Sequence, residues 1–176
     1  MARHLASLVL PLVALSTISA AQTAAPPEWF TDAATGCKVW NETPGPGDSI
    51  SWSGGCVNGL AQGQGTLQWF ESGKPTSHYE GSYHAGKMDG HGVFTMANGD
   101  RYEGAFKDDE FNGYGIYTWA SGERYDGMWA DNKPNGQGIK TESNGEVFNG
   151  TWINGCFKHG DRRAVAYTTA KACQFE

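Results

Sequence analysis

YEGSYHAGKMDGHGVF, residues 79–94, sets four glycines among aromatic side chains that alternate as they would along a β-strand. Glycine inside a strand costs roughly 0.5–1 kcal/mol relative to alanine. Gly81, Gly86, Gly90 and Gly92 therefore require a compensating gain, and the chain around them supplies it by repetition.

The triplet Tyr79-Glu80-Gly81 returns as Tyr102-Glu103-Gly104, Tyr125-Asp126-Gly127 and Phe148-Asn149-Gly150, each 23 residues further on. Trp52-Ser53-Gly54 is an earlier copy, 27 residues upstream, with four residues inserted near 72–78. Five units result, the fifth incomplete. Internal self-similarity at such a period signals a stacked array. Counting from the aromatic, position 3 is glycine in all five units. Position 5 is Cys56, Tyr83, Phe106, Trp129 and Trp152. Positions 12 and 14 carry a Gly-x-Gly pair in the first four units, and position 21 is Gly99, Gly122 and Gly145 in three of them.

Period-two alternation bounded by turn residues predicts strands. Positions 7–8, for example Asn58-Gly59 and Asp131-Asn132, suit a two-residue hairpin turn with positive φ. That turn pairs position 6 with 9, 5 with 10, 3 with 12 and 1 with 14. Between hairpins, a three-residue loop such as Ala97-Asn98-Gly99 keeps the parity, because a one-residue slip would invert every side chain. Position 16 then faces the next position 1, and 12 faces the next 5. One face gathers Tyr79, Tyr83, Phe94, Met96, Tyr102, Phe106, Tyr117, Trp119, Tyr125 and Trp129 over hollows left by the glycines at 3, 12 and 14. The other face is polar.

The Tyr-Glu-Gly start, the aromatic two residues later and the Gly-x-Gly pair resemble the MORN (membrane occupation and recognition nexus) repeat. The resemblance spans about residues 52–157. It implies serial β-hairpins in one long twisted sheet: an all-β, single-layer antiparallel array. CKVWN and WSGGC resemble the flanks of exported bacterial proteins of this type. Terminal repeats have open edges that need caps. The pairings Cys37–Cys56 and Cys156–Cys173 are expected to staple the two ends, each closing a loop of about 17–20 residues.

The chain carries a formal charge of −6 over 176 residues. Its start, MARHLASLVLPLVALSTISAA, has a short basic beginning, an apolar run and small residues at a cleavage point, and reads as a secretory signal peptide over 1–21. Removing it takes Arg3 and leaves 12 basic against 19 acidic residues. Such a balance offers no general attraction for nucleic acid. It also disfavours anionic lipid, which wants clustered Lys and Arg. An even number of cysteines in an exported chain favours disulfides. The expected organisation is a leader over 1–21, a flexible tether over 22–36, an N-terminal cap over 37–51, the array over 52–157 and a C-terminal cap over 158–176, in a periplasmic or extracellular setting.

Catalytic chemistry finds no footing. His84 and His91 lie too far apart along the strands to share a metal. Asp108-Asp109-Glu110 reads as turn chemistry without the ligand spacing of a Ca²⁺ loop. The Gly-x-Gly pairs open no helix, as a phosphate loop would need. No enzyme, metal or cofactor is expected. The resemblance implies a non-enzymatic scaffold for protein–protein interaction or self-association. A glycan module stacking sugars on the aromatic face is the alternative. The rings named for contact are Trp52, Trp69, Tyr79, Tyr83, Tyr102, Phe106, Tyr117, Trp119, Tyr125 and Trp129.

Overall fold

The computed structural model describes residues 26–175. Among them there is no α-helix. Fourteen strands form one open sheet: β1 (Glu28–Thr31), β2 (Lys38–Asn41), β3 (Asp48–Trp52), β4 (Gly55–Val57), β5 (Leu60–Glu71), β6 (Lys74–His84), β7 (Lys87–Thr95), β8 (Arg101–Lys107), β9 (Glu110–Thr118), β10 (Arg124–Ala130), β11 (Lys133–Thr141), β12 (Val147–Ile153), β13 (Cys156–His159) and β14 (Arg162–Val165). From β5 onward, sequence neighbours are sheet neighbours, all antiparallel. β3 and β4 both pair with β5, and β2 meets β5 in parallel. The leader expected over 1–21 lies outside the described residues.

The hairpin register begins as expected and then departs. Next to the turn, His84 pairs with Lys87 and Tyr83 with Met88, which are positions 6 with 9 and 5 with 10. Beyond it, Ser82 alone opposes Asp89, Gly90 and His91, and pairing resumes at Gly81↔Gly92 and Tyr79↔Phe94. The expected pairs 3 with 12 and 1 with 14 are thus corrected to 3 with 14 and 1 with 16, as also in β8–β9 and β10–β11. The cause is position 12. Gly63, Gly90, Gly113 and Gly136 have φ of 78°, 105°, 89° and 117°, a left-handed backbone that forms a bulge and absorbs two residues. These glycines serve the bulge and do not form a hollow for a ring.

The links between hairpins follow the expected form. Gly99 N–H donates to the Met96 carbonyl and Met96 N–H to the Asp100 carbonyl, closing a three-residue loop that ends in a left-handed glycine. Phe94 accordingly faces Tyr102, and Gly90 faces Phe106.

Hairpin and link registers together produce one row of glycines across the sheet. Gly65, Gly81, Gly92, Gly104, Gly115, Gly127, Gly138 and Gly150 pair in succession from β5 to β12. The position-1 rings lie along this row. A Cβ on Gly92 would sit 2.3 Å from the Tyr79 hydroxyl, and one on Gly138 2.2 Å from that of Tyr125. Trp52 lies the same way over Gly54 and Gly65. Each position-1 tyrosine also donates to the position-4 carbonyl beside the bulge: Tyr79 to Ser82, Tyr102 to Ala105 and Tyr125 to Met128. A phenylalanine would leave that carbonyl unmatched. Edge-to-face contacts run from ring to ring, as in Tyr79–Phe106, Tyr102–Trp129 and Tyr125–Trp152. The burial of these rings offsets the strand cost of the glycines.

Both disulfides form, Cys37–Cys56 and Cys156–Cys173, with Cα–Cα distances of 5.7 and 5.6 Å. They lie near the ends of the array. Residues 22–36, expected as a tether, contain β1, which pairs with β2 and stacks Trp29 edge-on against Trp40.

Both end segments cross the hairpin turns at a position-8 glycine. Trp40 N–H donates to the Gly86 carbonyl, and Ala166 N–H to the Gly155 carbonyl. A Cβ on Gly86 would strike the Trp29 ring at 2.5 Å, and one on Gly155 the Ala166 carbonyl at 2.4 Å. The central units, where no segment crosses, carry Asp109 and Asn132 at this position.

Candidate functional site

The aromatic face is the core of a single-layer sheet. Of the ten rings named from sequence, Trp52, Tyr79, Tyr83, Tyr102, Phe106, Tyr117, Tyr125 and Trp129 are no more than 3% exposed. A buried ring has no face left for a ligand, so these eight are corrected from contact residues to core residues. The rings pack against each other across the glycine row, and residues of the N-terminal segment (Phe30, Cys37, Val39) and of the C-terminal segment join the same core. Tyr167, on the C-terminal segment, lies within 5.1–5.9 Å of Phe111, Tyr117 and Trp129, centroid to centroid. Trp69 and Trp119 keep part of their surface.

Two polar groups that enter this core, Asp100 and Lys140, are paired. Tyr117 donates to Asp100 Oδ2 at 2.6 Å, and Ala120 N–H to Asp100 Oδ1 at 2.8 Å. Burial pushes the Asp100 carboxyl up, but the bonds from Tyr117, Ala120 and Asn98 outweigh it and hold it below the usual carboxylate range. One unit later Lys140 stands where Tyr117 stood. Its ammonium is buried, paired with Glu123 and Glu142, bonded to the Val165 carbonyl, and 5.4 Å from the Trp119 ring centroid. Position 16 is thus aromatic in two units and a lysine in a third, a substitution the apolar pattern did not anticipate.

A cleft lies open on this face. It has a volume of about 720 Å³ and lies between the N-terminal segment, the β5–β6 hairpin and Tyr167. Trp40, Trp69, Phe94, Met96 and Phe111 give it apolar walls, and Glu42, Asp48, Glu71 and Asp109 contribute carboxylates. Among the described residues, no Lys, Arg or His lines it. Of the ten rings chosen from sequence, only Trp69 reaches it.

Asp109 sits at the cleft's base. Its backbone N–H donates to the Met88 carbonyl and its Oδ1 accepts the Met88 N–H at 2.7 Å, a two-point clasp between successive units. Oδ2 is buried and has no hydrogen-bond partner. Burial raises its carboxyl to about 6; the Met88 N–H and Lys87 oppose the rise, and Glu42 and Asp108 add to it. The sequence placed Asp109 in a turn, correctly, and gave no sign that its side chain folds inward. The signal was the position-8 series: glycine where the ends cross, and an acceptor side chain where they do not.

The opposite face carries Val93, Ile116 and Ile139 alternating across the strands with Glu80, Glu103 and Asp126. Arg101 and Arg124 pair with Glu103 and Asp126. On this face the Gln64 side-chain amide donates to Ser82 and that of Gln137 to Thr151. Among the described residues there is no cluster of metal-ligating side chains and no helix long and apolar enough to cross a membrane.

The sequence model of the MORN repeat matches residues 52–73, 79–101, 102–124 and 125–147. No curated protein matches as a relative.

Proposed function

Because this chain belongs to the MORN repeat family, whose repeats are in general protein- or membrane-interaction modules, we propose that it is a non-enzymatic, exported scaffold that binds another protein in its aromatic cleft. The cleft itself carries this reading. It combines apolar walls with carboxylates and, among the described residues, has no basic side chain, a chemistry that suits a peptide surface and repels anionic lipid headgroups. Two disulfides fit an oxidising compartment. A glycan reading loses support, since eight of the ten rings chosen for stacking are buried in the core.

The test is site-specific photocrosslinking in the native envelope. A photoreactive residue replaces Thr76, which lines the cleft, or Gln137, on the opposite face. The expected result is one protein adduct from position 76 and none from 137. Adducts from 137 alone, or a self-adduct from 137 without any from 76, would overturn the cleft as the binding surface.

A further inference from the structure

Asp109 and Asn132 occupy the same position in successive units and perform the same backbone task. Asp109 Oδ1 accepts the Met88 N–H at 2.7 Å, and Asn132 Oδ1 accepts the Phe111 N–H at 2.8 Å. Each also donates its own N–H to the carbonyl of that same residue. Both take positive φ, 74° and 60°. An asparagine therefore suffices for the turn and the clasp. The negative charge of Asp109 is an addition that the fold does not require, and a buried unpaired charge is costly.

The second oxygen of Asp109 is buried without a hydrogen-bond partner at the base of the cleft. Among the described residues, no ammonium or guanidinium lies within ion-pair distance of it. Lys87 acts on it through its charge, but its ammonium stands over the Trp40 ring, 5.9 Å from the centroid. Glu42 and Asp108 add negative potential. Aromatic walls beside a carboxylate favour a cation twice, by charge and by ring quadrupole.

We propose that Asp109 anchors the cleft's ligand and that the group it receives is cationic, an arginine or lysine side chain of the bound protein. The cation pairs with the Asp109 carboxylate from the cleft that this residue lines and lies against Trp40 or Trp69. The inference rests on the cleft being the protein-binding surface, and it adds the chemistry that surface selects.

The test is a titration of the oxidised full chain with N-acetyl-arginine methylamide, against its uncharged isostere N-acetyl-citrulline methylamide. Backbone and indole signals are followed by nuclear magnetic resonance. The arginine probe is expected to shift Asp109, Asn132 and the Trp40 and Trp69 indoles saturably, with the citrulline probe about tenfold weaker or more. Asp109→Asn, which keeps the Met88 clasp as Asn132 keeps its own, is expected to weaken the arginine probe by a similar factor. Saturation is also expected to lower the carboxyl titration of Asp109. Equal binding of both probes, undiminished binding by D109N, or no saturable shift up to the solubility of the arginine probe would overturn the proposal. The citrulline comparison needs no variant, so the proposal is exposed even if D109N folds poorly. If crosslinks from position 76 persist in D109N, the cleft still binds protein and only the anchor fails.

Discussion

The Tyr102 ring lies so close over Gly115 that a Cβ there would stand 2.3 Å from the tyrosine hydroxyl and 2.4 Å from its Cζ. Across the same pair of strands, a Cβ on Gly104 would stand 2.5 Å from the Gly115 Cα. The ring is fully buried, edge-on to Phe106 and Trp129 and stacked on Phe111, and cannot retreat.

Gly115→Ala is therefore expected to destabilise the fold by about 2–3 kcal/mol through overpacking. Gly122→Ala is the control. It meets nothing within 4 Å but has φ of 92°, so its cost is backbone strain alone, about 1 kcal/mol. Urea unfolding of the two variants separates these causes. Equal midpoints would mean the ring can shift.

Asp109 gives a pH signature of the opposite sign to most carboxylates. Its folded value of about 6 lies above the ordinary 3.8, so the folded state holds the proton more tightly than the unfolded state. Stability accordingly falls as pH rises from about 4 to about 6 and stays level above that. Asp109→Asn is expected to stabilise the free protein by about 1–3 kcal/mol at pH 7.5, a gain that fades below about pH 4. Thermal unfolding across that range checks it; a gain independent of pH would show that ionisation is not the cause.

Asp100 behaves in the usual direction. The Tyr117 and Ala120 donors hold its carboxyl below the ordinary value, so its contribution is complete above about pH 4 and is lost as pH falls further. Tyr117→Phe is expected to flatten the acid limb of the stability curve and to cost about 1–2 kcal/mol at neutral pH. An unchanged acid limb would remove Tyr117 as the cause.

The Cys156–Cys173 bridge holds the segment that carries Tyr167 onto the aromatic face. Replacing both cysteines by serine is expected to cost about 3 kcal/mol, for a loop that spans 17 residues. Hydrogen exchange at Ala166, whose amide binds the Gly155 carbonyl, is expected to accelerate while the Tyr102 region stays protected, because each repeat leans only on its neighbours. Uniform acceleration would show that the cap stabilises the array as one unit.

Residue order by itself determined the periodicity, and with it most of the fold. The 23-residue step, the hairpin turns, the three-residue links and the pairing of Phe94 with Tyr102 all follow from local backbone preference and side-chain parity. The two cysteine pairs near the array's ends were equally plain. The bulge was not: Gly90 reads the same in sequence whether it makes room for a ring or turns the backbone left-handed, and only its φ of 105° decides. Nor could parity reveal that the rings would bury themselves completely, since burial depends on how closely strands and end segments approach across a row of glycines. The cleft and the unmatched oxygen of Asp109 belong wholly to tertiary structure. They arise where the N-terminal segment, β5–β6 and Tyr167 meet, and groups so far apart along the chain leave no local pattern for a sequence to display.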